Sequence, residues 1–294
     1  MSFLFCHESR IFSTSACMWA IMFQLFVSGK GAFMKVVAHR GACTEALENT
    51  WEAFRKAVEL GADRIELDVH LTADNHIVIL HDEDFRRTAG LDKTLRQLTR
   101  KEIESTIKLS NGEGVPFLDE VSEDLLDKIE LNVEIKALGP AIVDAVGKLY
   151  EGHRFADKVI ISSFNRDTCA WSATKFPKVK VALLWDKYLW LPGSFQLGPV
   201  RFMKKHGIRI YHPEAKLLTP SMMKTARAEG IDVVPYVGLR DETNREQLWS
   251  YLMTVGVQGL CTNYPRAMKL WLQEARDDET RYANQSLGNQ APKI

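Results

Sequence analysis

Ionisable side chains gather at the ends of apolar, β-branched runs in this 294-residue chain. His39 and Arg40 close "KVVAHR", Glu66 and Asp68 sit two apart in "RIELDVHL", His81 closes "IVILH", and Glu134 and Lys136 close "LNVEIK". Three carboxylates from neighbouring strands make an oxygen-rich set suited to a hard divalent cation, Mg2+ or Ca2+, and not to a soft one. Arg40 with its planar fork and Lys136 as a point charge would join that cation in neutralising a phosphate. His39 and His81, imidazoles that titrate near neutral pH, would flank the phosphate as acid and base. The chemistry predicted is cleavage of a phosphodiester.

Each motif alone has a plainer reading. "ELD" fits a solvated strand face and "EIK" a surface ion pair. Glu48 and Asn49 in "ENTWEAF" read as the start of a helix, with Asn49 or Thr50 as its N-cap. The joint placement of all these residues at strand ends favours catalysis over structure.

Eight strand-like runs alternate with amphipathic stretches: 35–39, 64–68, 129–136, 158–163, 179–185, 208–212, 231–237 and 258–262. The helical stretches are 50–60, 121–128, 140–150, 166–175, 220–229 and 242–254. That order predicts an α/β fold, a TIM-type (β/α)8 barrel over residues 34–272, whose catalytic residues belong at the C-terminal ends of its strands. One pair departs from the alternation. Too few residues separate "RIELDVHL" from "IVILH" for a helical crossover, so these runs form a hairpin. A two-residue turn at Asp74 and Asn75 pairs Ala73 with His76 and, counting back, Asp68 with His81. Period two keeps Glu66 on the same face. The charged, weakly patterned stretch after the hairpin, about 83–116, reads as a small insertion over the barrel mouth.

The formal net charge is zero, so no global field would hold the chain on nucleic acid or an anionic membrane. The partner expected is a small molecule. Five scattered cysteines without a CxxC pair read as reduced thiols in a cytoplasmic protein. Residues 1–33 include an uncharged apolar stretch, Ile11 to Gly29, which fits a signal or anchor segment, and hence export, or an extension upstream of a start at Met34. Residues 273–294 read as a polar, mobile tail.

The run from Ala38 to Asp82, followed by "RRTAG", "VPFLDEV", "NVEIK" and "ISSF", resembles the glycerophosphodiester phosphodiesterase family from about Lys35 to Met268, particularly its compact cytosolic bacterial members. The resemblance implies a TIM barrel with a small insertion and hydrolysis of glycerophosphodiesters to sn-glycerol 3-phosphate and an alcohol with a divalent cation. It implies His39 and His81 as the acid/base pair, Arg40 and Lys136 at the phosphate, and Glu66, Asp68 and Glu134 as metal ligands. Phe164, His212 and Tyr236 are expected near the substrate. The alternatives are a lysophospholipase D on the same barrel and a silent barrel that binds phosphorylated ligands. Three departures stand out: Tyr236 in "VVPYVGLRDETN" where the family commonly has Trp-Thr-Val-Asn, Asn263 in "CTNYP" where it usually has aspartate, and Leu47 for the usual proline before "ENT". None is expected to touch the catalytic set. The apolar stretch from Leu183 to Phe195 reads either as a lid or lipid-facing loop or as packing.

Overall fold

A computed structural model describes residues 34–186, 198–238 and 244–288. The proposed leader 1–33, most of the apolar stretch 183–195 and residues 289–294 lie outside the described residues. The fold is the expected barrel. Its parallel strands are β1 (Lys35–His39), β2 (Arg64–Leu71), β4 (Glu130–Ile135), β5 (Val159–Ser163), β6 (Lys180–Trp185), β7 (Ile210–Pro213), β8 (Asp232–Val233) and β9 (Gly259–Thr262). They neighbour one another in the order β8-β7-β6-β5-β4-β2-β1-β9, and a parallel bridge from Tyr236 to Cys261 brings the ends of that order together. β3 (Ile77–Ile79) runs antiparallel beside β2.

Alternation along β2 explains both its burial and its chemistry. Every residue of β2 is buried. Ile65, Leu67, Val69 and Leu71 join the apolar shell under the helices, which leaves Arg64, Glu66, Asp68 and His70 on the face that looks into the barrel. Val36 and Ala38 of β1 likewise join the outer shells, so Val37 and His39 face inward. Registry then sets His39 beside Glu66 and Asp68 beside Glu134.

The helices are α1 (Trp51–Glu59), α2 (Arg86–Ala89), α3 (Arg100–Thr106), α4 (Leu118–Leu125), α5 (Pro140–Tyr150), α6 (Arg166–Lys175), α7 (Gly198–Lys205), α8 (Pro220–Ala228), α9 (Arg245–Val255) and α10 (Pro265–Gly288). α1 begins where Thr50 accepts a hydrogen bond from the Ala53 amide at 3.2 Å, and it buries Ala53, Phe54 and Ala57 against the barrel. α2, a 3₁₀ turn at Leu95–Gln97 and α3 fold over the hairpin around an apolar cluster of their own, which includes Phe85, Leu95 and Ile103 packed with Val78 and Leu80. No helix among the described residues is long and apolar enough to cross a membrane.

Three sequence expectations need correction. The β2–β3 hairpin pairs Val69 with Ile79 and Leu71 with Ile77, so Asp68 lies opposite Leu80 and not His81. The cause is the turn: Thr72 donates its amide to His76 (3.0 Å), and Asn75 takes a left-handed φ of 63°, closing a three-residue loop where two were counted. The late strand 231–237 shortens to β8, because Pro235 has no amide to continue the ladder. The polar stretch after 273 continues α10 as helix to Gly288, from a start anchored by buried Met268 and Leu272.

Gly41 is required twice over. Its φ is +81°, and a Cβ there would lie 2.7 Å from the Ala53 carbonyl carbon. Gly112 has a similar φ of +85° with open space around it. Gly41→Ala is therefore expected to cost about 3 kcal/mol or more, and Gly112→Ala about 1 kcal/mol. Chemical denaturation of the two variants checks this; equal losses would contradict the role of the close approach.

Candidate active site

Arg40 leaves β1 in a left-handed conformation, φ 54°, which costs energy for a residue with a Cβ. Its contacts hold it there. The Arg40 amide donates to Glu66 Oε2 (3.0 Å), Nη1 reaches Glu48 Oε1 (2.8 Å), and Nε lies 3.1 Å from Asp68 Oδ2. Asn49, also left-handed at φ 55°, donates from Nδ2 to Asp68 Oδ2 at 2.8 Å. Glu48 and Asn49 therefore do more than begin a helix, which Thr50 caps: they brace the arginine and the aspartate. Lys136 completes the cluster, with Nζ 3.2 Å from Asp68 Oδ1 and 2.5 Å from Glu134 Oε1.

The charges compete. Burial, then Asp68 and Glu134, push the Glu66 carboxyl well above its ordinary range. Burial, then Asp68, raise Glu134 to about 7. Burial also pushes Asp68 up, but Lys136 and Arg40 outweigh it and bring that group to about 2. Two cationic side chains thus do not keep three buried carboxylates ionised. One oxygen from each of Glu66, Asp68 and Glu134 lies within 4.8 Å of the others, and Glu66 Oε1 is buried without a hydrogen-bond partner. An all-oxygen set with an orphaned carboxylate oxygen fits a hard divalent cation.

The two histidines have different settings. His39 Nδ1 lies 2.6 Å from Asn263 Oδ1 and Nε2 lies 3.8 Å from Glu66 Oε2. Burial, then Arg40, lowers its pKa to about 4, so the ring is neutral, with Nδ1–H donating to the amide and the Nε2 lone pair turned into the bowl. Asn263 therefore does touch the proposed catalytic set, against the sequence expectation. His81 has a carboxylate partner instead, Asp82 Oδ1 at 2.7 Å from Nδ1, and its side chain is 31% exposed. Although the hairpin slip removes it from the position opposite Asp68, it remains near enough to act on Asp68 electrostatically. Arg87 binds both Asp82 (2.7 Å) and Glu48 (2.8 Å), so a chain of ion pairs runs along the rim from His81 to Arg40.

Phe164 and Tyr236 meet edge to face at 5.8 Å, and Lys136 Nζ sits 5.8 Å above the Phe164 ring. These three share the mouth. His212 does not join them. It is 2% exposed, its Nε2 has no hydrogen-bond partner, and the charge that acts on it is Arg64 of β2. Sequence reasoning also passed over Asp82, Arg87 and His70, whose Nε2 meets the His81 carbonyl at 3.1 Å. His70 was legible, since it continues the inward period of Glu66 and Asp68.

Fold and bowl together define a (β/α)8 barrel with a buried cluster of ionisable side chains at the face where such barrels do chemistry. A profile of the glycerophosphoryl diester phosphodiesterase family matches residues 39–267. The chain is 33% identical over 243 residues to a glycerophosphodiester phosphodiesterase from Caldanaerobacter subterraneus subsp. tengcongensis, covering 79% of this chain and 95% of that protein. The crystal structure of a glycerophosphodiester phosphodiesterase from Thermotoga maritima matches with a TM-score of 0.65 at 30% identity, over 80% of this chain and 97% of that one. An Oleispira antarctica phosphodiesterase, solved in complex with the product sn-glycerol-3-phosphate, shares the fold at a TM-score of 0.69 and 22% identity, over 81% and 96% of the two chains. The chain belongs to the glycerophosphoryl diester phosphodiesterase family.

The raised carboxyls give a stability test. A carboxyl whose folded-state pKa lies above its unfolded value stabilises at low pH and loses that contribution as pH rises, here between about 4.5 and 7 for Glu134. Buried His39 and His212 shift downward and lose stability in the other direction, as pH falls below about 6.5. The increment from an added cation isolates the carboxylates. Mg2+ or Ca2+ is expected to raise the Tm of chelator-treated protein more at about pH 7.5 than at about pH 5, where the cation must displace protons. Equal increments would contradict the site.

Proposed function

We propose that this protein hydrolyses glycerophosphodiesters to sn-glycerol 3-phosphate and an alcohol, with a divalent cation bound by Glu66, Asp68 and Glu134. One observation carries the reading: the barrel brings these three carboxylates, Arg40 and Lys136 into a single ion cluster with His39 at its edge. The solved complex of the Oleispira antarctica phosphodiesterase with sn-glycerol-3-phosphate fits the same product. When bound, the cation supplies Lewis-acid stabilisation of charge developing on the phosphoryl oxygens.

The side chains divide the remaining work. Arg40 and Lys136 orient the phosphoryl group and neutralise it, at the cost of loosening their contacts with Asp68 and Glu134. His39 Nε2, neutral and lone-pair-bearing, takes the proton of the attacking nucleophile, and Asn263 holds the ring in that tautomer. His81 gives its proton to the departing alkoxide, and Asp82 Oδ1, 2.7 Å from its Nδ1, orients the ring. A second reading, a lysophospholipase D activity, has support in the apolar rim: Leu138 is 69% exposed and Phe164 39% exposed.

Release of glycerol 3-phosphate from soluble glycerophosphodiesters, lost with chelator and restored by Mg2+ or Ca2+, is the expected result. Turnover of lysolipid micelles alone would select the second reading, and no release from any substrate would overturn the proposal. His39→Ala and His81→Ala are each expected to lower kcat by about 10²–10⁴-fold with little change in Tm for His81→Ala, whose side chain is partly exposed. Wild-type rates in either variant would remove that histidine from the mechanism.

A further inference from the structure

A cavity of about 440 Å³ opens beside the catalytic bowl, within the range of small-ligand sites, ~300–1,000 Å³. Its walls include Glu214 and Lys216 beyond β7, Tyr236 beyond β8, and Asn244, Gln247 and Tyr251 at α9. Tyr236 belongs to both spaces. It lines the cavity and packs edge-on against Phe164, which lies beneath the Lys136 ammonium. A diester whose phosphoryl group rests on Lys136 therefore has a path for one ester arm across Phe164 and Tyr236 into this cavity.

The wall chemistry selects among alcohols. Lys216 Nζ lies 2.5 Å from Glu214 Oε1, so the wall carboxylate is already neutralised. Neutral overall, this pair offers a trimethylammonium head no net attraction. The side-chain amides of Asn244 and Gln247 line the cavity, and each can both donate and accept. The Tyr236 hydroxyl stays protonated, because burial and then the nearby Asp186 and Glu214 carboxylates push its pKa up, and it remains a donor. Tyr251 already donates to the Leu218 carbonyl at 2.9 Å, which leaves its oxygen as an acceptor. Interleaved neutral donors and acceptors match a set of hydroxyls, each of which gives one hydrogen bond and takes others.

We propose that this cavity seats the alcohol arm of the substrate and that the arm is a polyol, of the inositol or glycerol kind, in preference to choline. The proposal rests on the diesterase reading and names its substrate class. Lys216, Asn244 and Gln247 are its specificity-determining residues; none of them is assigned a part in phosphoryl transfer.

The test compares glycerol 3-phosphate release from glycerophosphoinositol, glycerophosphoglycerol and glycerophosphocholine, which share one half and differ only in the arm. The kcat/KM for the inositol diester is expected to exceed that for the choline diester by about tenfold or more. Gln247→Ala should cut that ratio about 3- to 10-fold, the worth of one lost neutral hydrogen bond. Lys216→Gln leaves Glu214 unpaired and should move the preference toward choline. Equal or better use of the choline diester by the wild type, or a ratio unmoved in both variants, overturns the assignment of the cavity while leaving the diesterase reading intact. No release from any of the three diesters overturns the diesterase reading itself, and the cavity proposal with it.

Discussion

The mutual repulsion of three carboxylates held inside a barrel is the constraint on which the rest of the site depends. Glu66, Asp68 and Glu134 face inward because period two along β2 and β4 sends their apolar neighbours outward under the helices. Burial makes their charges expensive, and a like charge beside each makes them more so. Arg40 and Lys136 lower Asp68 but leave Glu66 and Glu134 raised. A divalent cation held by the three carboxylates would remove that conflict with the fewest atoms.

Much of the surrounding structure keeps this cluster in place. The left-handed turn at Arg40 and Gly41 lets the chain fold back so that Glu48 and Asn49 reach the arginine and the aspartate. The insertion contributes Arg87, which ties Asp82, and through it His81, to Glu48 on the barrel. A rim linked in this way couples the position of His81 to that of Arg40. The other histidine is fixed separately, by an amide from β9's C-terminal end.

The barrel was legible in the sequence because its strands are short apolar runs separated by amphipathic ones, and β1, α5 and α6 have the predicted bounds. Polar residues at strand ends were legible for the same reason, since each interrupts an apolar period. What the period cannot supply is depth or loop geometry. His212 lies one residue from the end of β7, but it is fully buried, with Arg64 as its charge neighbour, and residue type alone does not reveal that. The hairpin count slipped by one because Asn75 takes a positive φ and Asp74 does not, where a two-residue type I′ turn needs it at both, so the loop closes from Thr72 to His76 instead. From sequence Asn49 reads as a helix start and Asn263 as a remote departure, because contacts across 19 and 224 positions leave no mark on sequence spacing.

The central claim is that one divalent cation binds where these three carboxylates meet. Calorimetric titration of chelator-treated protein with Mg2+ or Ca2+ near neutral pH tests it most directly. The account predicts one site per chain, with proton release on binding, and loss of that site in Glu134→Gln. Binding of equal affinity in Glu134→Gln, or no saturable binding to the wild-type chain, would contradict it.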